Sequence, residues 1–167
     1  GTGSQAGGGD TGGADDQGCI QRIKQYLDVK PSHNEEKPPK REVVGPIDRK
    51  DDGLLDVLPE SNRKPYDMYE IIEKIVDDGE YFDLKPQCAK TLITCFARFG
   101  GRTAGIVANQ PKQLGGILNN DSADKAARFV NLCNAFDIPL VFLMDVPGFM
   151  ARTKVQAGGI KIGRAAA

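Results

Sequence analysis

The sequence contains a single histidine and has no surplus of charge of either sign. Its 167 residues include 22 Lys and Arg against 23 Asp and Glu, for a formal net charge of -1. A near-neutral chain has no overall attraction for nucleic acid or anionic lipid, so we expect neither nucleic acid nor a membrane as a partner. No window reaches the roughly 18 uninterrupted apolar residues of a membrane span, and residues 1–18 lack the regions of a signal peptide. We expect a cytoplasmic protein.

The histidine and the four cysteines do not form a known catalytic or metal-binding pattern. His33 lies in a charged, proline-rich stretch and is interpreted as a solvated linker residue. The cysteines are scattered without a Cys-x-x-Cys pair, so no metal site is predicted. Cys133 falls on the apolar face of a predicted helix, which favours a small buried hydrophobe. A nucleophilic cysteine and histidine acid-base chemistry are both disfavoured.

The composition divides the chain into three parts. Residues 1–18 are rich in glycine and have no large apolar side chain, which predicts a flexible segment. Residues 19–63 hold a short amphipathic helix and then a linker rich in proline and charge. The apolar positions of that helix are Ile20, Ile23, Tyr26 and Leu27. Residues 64–167 carry the patterns of a folded α/β domain.

The folded part opens with an amphipathic helix. Asp67 is predicted as its N-cap, with Glu70 completing a carboxylate variant of the capping box, and Gly79 is predicted to end it. Its apolar stripe comprises Met68, Ile71, Ile72, Ile75 and Val76. Such a stripe is typical of an amphipathic helix with one buried face.

A hairpin and a strand-helix-strand unit follow. Two β-type runs, 91–99 and 103–109, are separated by Gly100, Gly101 and Arg102, which predicts a hairpin whose turn needs positive φ. Asp121 or Ser122 is predicted to cap the next helix. The buried face of that helix is predicted to comprise Ala126, Phe129, Val130, Cys133 and Phe136. The apolar run IPLVFLMDV then predicts a strand covered on both faces.

Two loops follow the strands of this unit, ANQPKQLGG and DVPGFMARTK. In a βαβ unit both lie at the same edge of the sheet, where ligands of α/β proteins collect. Gly115, Gly116 and Gly148 allow a backbone to approach a ligand, and amides freed by a turn can stabilise an oxyanion. The alternative for Gly115 and Gly116 is an ordinary turn. Asp145 is either a base or a carboxylate that supports the loop.

Phosphate binding has a weaker basis. No Gly-x-Gly-x-x-Gly and no Gly-Lys-Ser/Thr motif occurs, so nucleotide binding through these loops is disfavoured. Four basic residues flank the region and could meet a phosphate-bearing ligand. They are Lys112, Lys125, Arg128 and Lys154. A solvated helix face explains Lys125 and Arg128 equally well.

Three segments in this order resemble a known enzyme family. They are KPYDMYEIIEKIVDDGEYFDLKP, FARFGGRTAGIVANQP and LGGILNNDSADKAARFVNLCNAFDIPLVFLMDVPGF. Together they are similar to the start of the C-terminal half of the carboxyltransferase (β) subunits of biotin-dependent acyl-CoA carboxylases, of the propionyl-CoA carboxylase β type. The resemblance runs from about Lys64 to Phe149, and more weakly through GCIQRIKQYLDVKPSHNEEKPP.

The resemblance implies a crotonase-like (ClpP-like) α/β fold of repeated ββα units, present here in part. It implies transfer of a carboxyl group from biotin, carried on a partner protein, to an acyl-CoA of the propionyl- or acetyl-CoA class. The partners implied are biotin carboxylase, the biotin carboxyl carrier protein and sister carboxyltransferase subunits. Backbone oxyanion holes carry the chemistry in that family, which agrees with the lack of a side-chain nucleophile. A mitochondrial location is implied if a transit peptide precedes the chain.

The resemblance also suggests which residues line the biotin side of the site. They are Asn109, Gln110, Gly115, Gly116, Pro147, Gly148 and Phe149. Asp145 is then interpreted as support for its loop, because the family's chemistry runs on backbone amides.

The sequence departs from the family at both ends. Most of the N-terminal half, which binds the acyl-CoA, has no counterpart apart from a short TGGADD segment. After PGF, Arg152 replaces a glycine, only Gly158, Gly159 and Ile160 of the next helix are kept, and the Gly-Gly-Ala-Tyr segment of the biotin oxyanion hole is missing. We therefore expect a fragment that is inactive alone, with its catalytic residues unidentified.

Two alternatives to a carboxylase fragment stay open. One is a non-catalytic assembly module that binds sister subunits through apolar helix faces such as Ile71, Ile72 and Ile75. The other is a subunit of a biotin-dependent acyl-CoA decarboxylase, which shares the fold and differs in what becomes of the carboxyl group.

Overall fold

The computed structural model describes residues 15–43, 51–61 and 64–150. Its helices and strands are α1 (Asp16–Val29), α2 (Leu54–Val57), α3 (Met68–Ile75), β1 (Tyr81–Asp83), β2 (Leu92–Phe99), β3 (Arg102–Asn109), α4 (Asn120–Ala135) and β4 (Leu140–Leu143). Two short 3-10 turns span Asp77–Gly79 and Leu114–Gly116. Within these described ranges, no helix has the length and apolar character needed to cross a membrane.

The four strands form one mixed sheet in the order β1-β2-β3-β4. β2 runs antiparallel to β1 and β3, whereas β4 lies parallel to β3. Since α4 connects β3 to β4, the predicted strand-helix-strand unit is confirmed. The carboxyl ends of β3 and β4 therefore lie at one edge of the sheet, and both predicted site loops begin there.

The predicted hairpin of β2 and β3 is also confirmed, and its last pair places Phe99 opposite Arg102. Gly100 and Gly101 form the turn with φ of 58° and 76°, and positive φ at both central residues is what a type I′ turn requires. The two Asp77 carboxylate oxygens accept hydrogen bonds from the N–H groups of Gly100 (3.1 Å) and Gly101 (2.7 Å). The turn is thus fixed by its glycines and by a carboxylate from the segment after α3.

Alternating side chains of the sheet enter two cores, one on each face. The first core packs α4 and the end of α1 on the sheet, and it includes Val29, Phe82, Leu92, Phe96, Val107, Phe129 and Cys133. The second packs α3 on the opposite face, and it includes Met68, Ile72, Val76, Ile93, Cys95, Ile106 and Ala108. The described residues thus form three layers, and the predicted apolar faces of α3 and α4 are confirmed.

The predicted cap of α3 is confirmed and its predicted end is not. The Asp67 carboxylate accepts a hydrogen bond from the Tyr69 N–H at 3.1 Å. The α-helix ends at Ile75, ahead of the predicted stop at Gly79. The chain continues as a 3-10 turn in which Asp78 already has a φ of 55°. In this turn the Asp77 side chain reaches the hairpin, where it accepts the hydrogen bonds from Gly100 and Gly101.

The predicted N-cap of α4, Asp121 or Ser122, was wrong. Asn119 is the cap: its side chain accepts a hydrogen bond from the Ser122 N–H at 2.9 Å, and Ser122 Oγ accepts one from the Asn119 N–H at 2.8 Å. Ser122 is therefore the reciprocal partner in a capping box rather than the cap itself. Both side chains satisfy N–H groups that the first turn leaves unpaired.

α1 starts earlier than the sequence suggested. Its N-cap is Asp15, whose carboxylate accepts from the Gly18 N–H at 2.7 Å. Residues 16–18 are therefore helical rather than part of the flexible segment predicted over 1–18. The rest of that segment, residues 1–14, lies outside the described residues.

The predicted apolar stripe of α1 is largely exposed. Only Tyr26 packs into the first core, with its ring centroid 5.8 Å from that of Phe82. The other three members are more than half exposed: Ile20, Ile23 and Leu27. The helix contacts the sheet through Tyr26, Val29 and the Arg22 guanidinium, which lies 4.9 Å from the centre of the Phe82 ring. The rest of the stripe faces away from the core.

Polar contacts attach α1 and the linker to the sheet. Arg98 of β2 donates to the main-chain oxygen (2.8 Å) and the carboxylate (2.9 Å) of Asp28 at the end of α1. In the linker, the Arg41 N–H donates to the Gly101 oxygen of the hairpin turn at 2.9 Å. The boundary placed between linker and folded domain at residue 64 stays a prediction.

The prediction that the last strand is covered on both faces was wrong for β4. Phe142 is 53% exposed and Met144, just after the strand, is 73% exposed. β4 is the edge strand of the described sheet, and α4 packs over its first residue, Leu140. The continuous apolar run therefore leaves apolar side chains on an open edge of the described residues.

Candidate functional site

The loop after β3 is anchored by two buried residues, Asn109 through its side chain and Gln110 through its main chain. Asn109 Nδ2 donates to the Gly116 oxygen at 2.9 Å, which fixes the 3-10 turn over the end of the strand. The Gln110 N–H donates to the Thr91 oxygen at 2.9 Å, on the neighbouring chain segment before β2. Asn109 and Gln110 were both predicted to line the biotin side; both are buried and support the loop, and their role toward biotin stays a prediction.

Gly115 and Gly116 make the turn of this loop, with φ of 67° and 75°. A Cβ on Gly116 would lie 3.2 Å from the Asp145 oxygen and 3.3 Å from Asn109 Cβ, so this glycine allows the loop after β4 to come close. A Cβ on Gly115 would meet only Pro147 Cγ, at 4.0 Å. Gly116 is therefore a packing point between the loops, whereas Gly115 lies exposed above it.

A short stretch of parallel pairing joins the two loops. Leu118 and Phe149 form a β-bridge in which the Leu118 N–H donates to the Gly148 oxygen (3.1 Å) and the Met150 N–H donates to the Leu118 oxygen (2.8 Å). The predicted convergence of the two loops is confirmed by these contacts. They form one surface rather than two separate turns.

The candidate residues therefore divide into two groups. Asn109, Gln110 and Gly116 are buried, whereas Gly115, Pro147, Gly148 and Phe149 reach the surface. A Cβ built on Gly148 has no atom within 4 Å, so the backbone there is open to an approaching group. Phe149 is 53% exposed beside it. We refer to these four surface residues as the loop surface; their role toward a ligand stays a prediction.

Asp67, the N-cap of α3, also contacts the loop after β3. Its carboxylate accepts hydrogen bonds from Gln110 Nε2 (2.7 Å) and Lys112 Nζ (3.1 Å). Burial tends to raise the pKa of Asp67, but the hydrogen bonds from Gln110, the Tyr69 N–H and Lys112 outweigh it and hold the pKa below its usual value. The carboxylate is therefore ionised, and its hydrogen bonds hold the start of α3 and the loop after β3 together.

Asp145 supports its loop through a neighbour that the sequence pattern did not reveal. The Tyr66 hydroxyl donates to Asp145 Oδ2 at 2.7 Å. Burial, together with this hydrogen bond, raises the pKa of Tyr66 to about 12. The pair links the loop after β4 to the segment before α3, as expected of a supporting carboxylate rather than a base.

The four basic residues predicted to flank a phosphate do not converge. Lys112 pairs with Asp67, Arg128 is exposed on α4, and Lys154 lies outside the described residues. Both interpretations of Lys125, as a phosphate contact and as part of a solvated helix face, were wrong. Its side chain is buried and Nζ donates to the main-chain oxygens of Cys88 (2.9 Å) and Leu92 (2.7 Å).

Lys125 is therefore a structural cation inside the protein. Burial is the largest influence on it and lowers its pKa to about 8, opposed by the nearby Asp83 carboxylate. Burial likewise raises the pKa of Asp83. Both shifts reflect a poorly solvated environment, in which the two main-chain oxygens provide the compensation for the ammonium group.

The described residues offer no activated nucleophile at the loop surface. Burial raises the pKa of the Cys133 thiol to about 12 and raises that of Cys95 as well, so both behave as buried apolar groups, as predicted for Cys133. His33 is exposed in the linker. Over the described ranges, no three metal-binding side chains come together.

Sequence reasoning missed the role of the segment before α3. Tyr66 lies far from Asp145 along the chain, and Asp67 carries a helix-cap signature that accounts for it without any loop contact. The sequence does show Tyr66 and Asp67 side by side within KPYDMYE. No sequence pattern indicates which loop each of these side chains contacts.

Residues 3–166 match the carboxyl transferase domain family. The propionyl-CoA carboxylase beta chain of Roseobacter denitrificans is 44% identical over 142 residues, which are 85% of this chain and 28% of that protein. The methylmalonyl-CoA decarboxylase subunit alpha of Veillonella parvula has the same identity, 44% over 142 residues, with the same coverage of both chains. The chain thus spans about 28% of the length of these relatives.

A solved structure of transcarboxylase 12S, a hexamer with hydrolysed methylmalonyl-coenzyme A bound, is similar with a TM-score of 0.84 and 40% identity. The match covers 89% of this chain and 29% of that one. It confirms the predicted α/β, partial crotonase-like fold. By sequence and by structure, the chain belongs to the carboxyl transferase domain family.

Proposed function

We propose that the chain contributes to transfer of a carboxyl group from carboxybiotin to an acyl-CoA of the propionyl- or acetyl-CoA class. The observation that carries this proposal is the pairing of Leu118 with Gly148 and Phe149, which joins the loops after two parallel strands into one surface. A surface built from backbone and apolar groups suits chemistry that depends on amides rather than on a titrating side chain.

The loop surface suits a biotin ring system. Biotin presents an apolar ring edge and a polar ureido group, and it supplies the carboxyl group when carboxylated. Pro147 and the exposed Phe149 ring offer apolar contact, and the open backbone at Gly115 and Gly148 allows close approach. Asn109, Gln110 and Gly116 hold this surface from beneath.

The proposed partners follow from the relatives. Biotin would be carried on a biotin carboxyl carrier protein and carboxylated by a biotin carboxylase, with the acyl-CoA as substrate. Sister carboxyltransferase subunits are proposed as further partners, since the transcarboxylase 12S structure is described as a hexamer assembly.

A segment exchange tests the proposal. The matching segment of the Roseobacter propionyl-CoA carboxylase beta chain is replaced by this chain, and carboxylation of propionyl-CoA is measured with the host's partner proteins present. We expect measurable carboxylation. A chimera that assembles normally but transfers no carboxyl group, in this host and in the decarboxylase host described below, would contradict the function.

The binding site has its own test in the chain itself. Biocytin, which is biotin attached to lysine, is titrated and backbone amide shifts are followed by NMR. We expect shifts at Gly115 and Gly148, and weaker binding in Phe149→Ala. Phe142→Ala is the matched control, because Phe142 is equally exposed, 53%, but lies on β4. Equal weakening in both variants would remove the loop surface as the biotin site.

A second candidate is a subunit of a biotin-dependent acyl-CoA decarboxylase. It is supported by the identity to the Veillonella decarboxylase subunit, which equals that to the carboxylase beta chain at 44%. The same segment exchange into the decarboxylase subunit discriminates between them. Activity in that host alone would favour the decarboxylase.

A third candidate is an assembly role, supported by other residues than those first considered for it. Of the residues first considered for it, Ile72 is buried against the sheet within this chain, and Ile71 and Ile75 are partly buried there. Exposed apolar side chains on α1 and at the β4 edge support it instead: Ile20, Ile23, Leu27, Phe142 and Met144. A monodisperse monomer in light scattering would count against this role.

A further inference from the structure

The two residues that precede α3 reach different site loops. Asp67 contacts the loop after β3 through Gln110 and Lys112, and Tyr66 contacts the loop after β4 through Asp145. Adjacent residues of one backbone segment thus contact both loops. The β-bridge between Leu118 and Phe149 joins the two loops directly. The contacts of Tyr66 and Asp67 are separate from it and come from outside the loops.

The Asp67 side of this link is a closed network. Gln110 Nε2 donates to Asp67 Oδ1 (2.7 Å), while Gln110 Oε1 accepts from the N–H of Met68 (3.2 Å) and of Lys112 (3.3 Å). The helix start and the first residues of the loop after β3 therefore hold each other. Since Gln110 is buried, rotation of its amide would leave polar atoms unpaired.

The Tyr66 side acts on the loop after β4. Asp145 is exposed, so without a partner its side chain would be free to move in solvent. The Tyr66 hydroxyl at 2.7 Å restrains it, and the main-chain oxygen of the same Asp145 lies next to Gly116, 3.2 Å from where a Cβ on that glycine would be. A single short contact therefore restrains one of the residues at which the two loops meet.

We propose that Tyr66 and Asp67 are positioning residues, which set the separation of the two loops that form the proposed biotin surface. This inference rests on the proposed function for its ligand. Each residue acts through another: Tyr66 through Asp145, and Asp67 through Gln110. The start of α3, packed on the sheet, provides the fixed point.

Tyr66→Phe tests the proposal, with Tyr69→Phe as the matched control. The Tyr69 hydroxyl also donates to an aspartate, Asp83 Oδ2, at the same 2.7 Å, but Asp83 lies on β1, at the opposite edge of the described sheet from β4. Tyr69 is the more deeply placed ring, stacked 5.4 Å from Tyr81. Loss of its hydroxyl should lower the stability of the chain at least as much as loss of the Tyr66 hydroxyl.

Three readouts are compared in the full chain: urea unfolding, biocytin affinity by NMR, and hydrogen exchange of the Met150 and Leu118 amides. Under the proposal, Tyr66→Phe speeds exchange of these bridge amides by about tenfold and weakens biocytin roughly fivefold. Tyr69→Phe changes neither beyond its effect on global unfolding. Asp67→Ala should speed exchange at Gly116 instead, in the loop after β3.

Equal effects of the two tyrosine substitutions, or unchanged exchange at Met150 in Tyr66→Phe, would overturn the proposal. The test of this proposal and the test of the proposed function can fail independently of each other. If the unsubstituted chain shows no biocytin shifts, the biotin surface fails, while the exchange comparison still decides whether Tyr66 positions the loop.

Discussion

Lys125 Nζ on α4 donates a hydrogen bond to the Leu92 main-chain oxygen at 2.7 Å. Leu92 begins β2 and lies opposite Asn109, the residue from which the loop after β3 departs. The same ammonium group also donates to the Cys88 oxygen at 2.9 Å. α4 is therefore tied by a buried charge to the end of the sheet that supports the loop surface.

Lys125→Met removes this tie and keeps most of the side-chain volume. Two buried main-chain oxygens then lose their donor, so we expect the free energy of unfolding to fall by about 2 kcal/mol. Arg128→Met on the exposed side of the same helix is the control, with an expected change within about 0.5 kcal/mol. Urea unfolding followed by circular dichroism measures both. Equal effects would mean that the Lys125 contacts contribute nothing specific.

The stabilising effect of Lys125 should depend on pH. Its pKa is lowered in the folded chain from 10.5 to about 8, chiefly by burial. Between these two values the unfolded chain binds more protons, so stability rises with pH. We expect the unfolding free energy of the unsubstituted chain to increase relative to Lys125→Met from about pH 8 to pH 10. The difference cancels the titration of thiols and tyrosines, and a constant difference across this window contradicts the assignment.

Gly115→Ala and Gly116→Ala separate backbone strain from loop contact. Both residues have positive φ, so each substitution costs about 1 kcal/mol from strain. Only Gly116→Ala places a Cβ 3.2 Å from the Asp145 oxygen, which should add about 1 kcal/mol more. Thermal unfolding measures the two losses. If Gly115→Ala were the more damaging variant, the contact between the loops would not be as described.

Asp77→Ala should loosen the β2–β3 hairpin. The change leaves the Gly100 and Gly101 N–H groups without their acceptor, and hydrogen bonds to a charged group contribute about 1.5 to 3 kcal/mol. Amide exchange at both glycines, measured by NMR, should accelerate together with the fall in stability. Asp124→Ala, an exposed carboxylate on α4, is the control and should leave both unchanged. If the Gly100 and Gly101 amides stay protected from exchange in Asp77→Ala, the Asp77 carboxylate does not stabilise the hairpin turn.

Local signals were enough for much of the fold. The glycine pair after Phe99 predicted the hairpin because few other residues adopt positive φ at two successive positions. The Asp67 cap and the apolar spacing of α3 and α4 were predicted correctly, since both depend on near neighbours in the sequence. The N-cap of α4 was missed because Asn119, Asp121 and Ser122 are all good caps, and only the three-dimensional geometry of the first turn selects one of them.

Burial of individual side chains was harder to predict. Lys125 was expected in solvent or at a ligand, but the main-chain oxygens of Cys88 and Leu92 create a buried site for its charge. Phe142 was expected to be covered, but β4 forms the edge of the described sheet. In both cases the outcome depends on a segment distant along the chain, which hydrophobic patterning does not report.

The α/β character, the hairpin and the strand-helix-strand unit could be predicted from the sequence, because they follow from local backbone preferences and apolar periodicity. The family resemblance came from three sequence segments in a fixed order. The burial of Asn109 and Gln110 and the contacts of Tyr66 and Asp67 with the two loops became evident only in the tertiary structure. Hydrogen bonds between distant segments need both partners in place. Their geometry exists only once α3 and α4 have packed on opposite faces of the sheet.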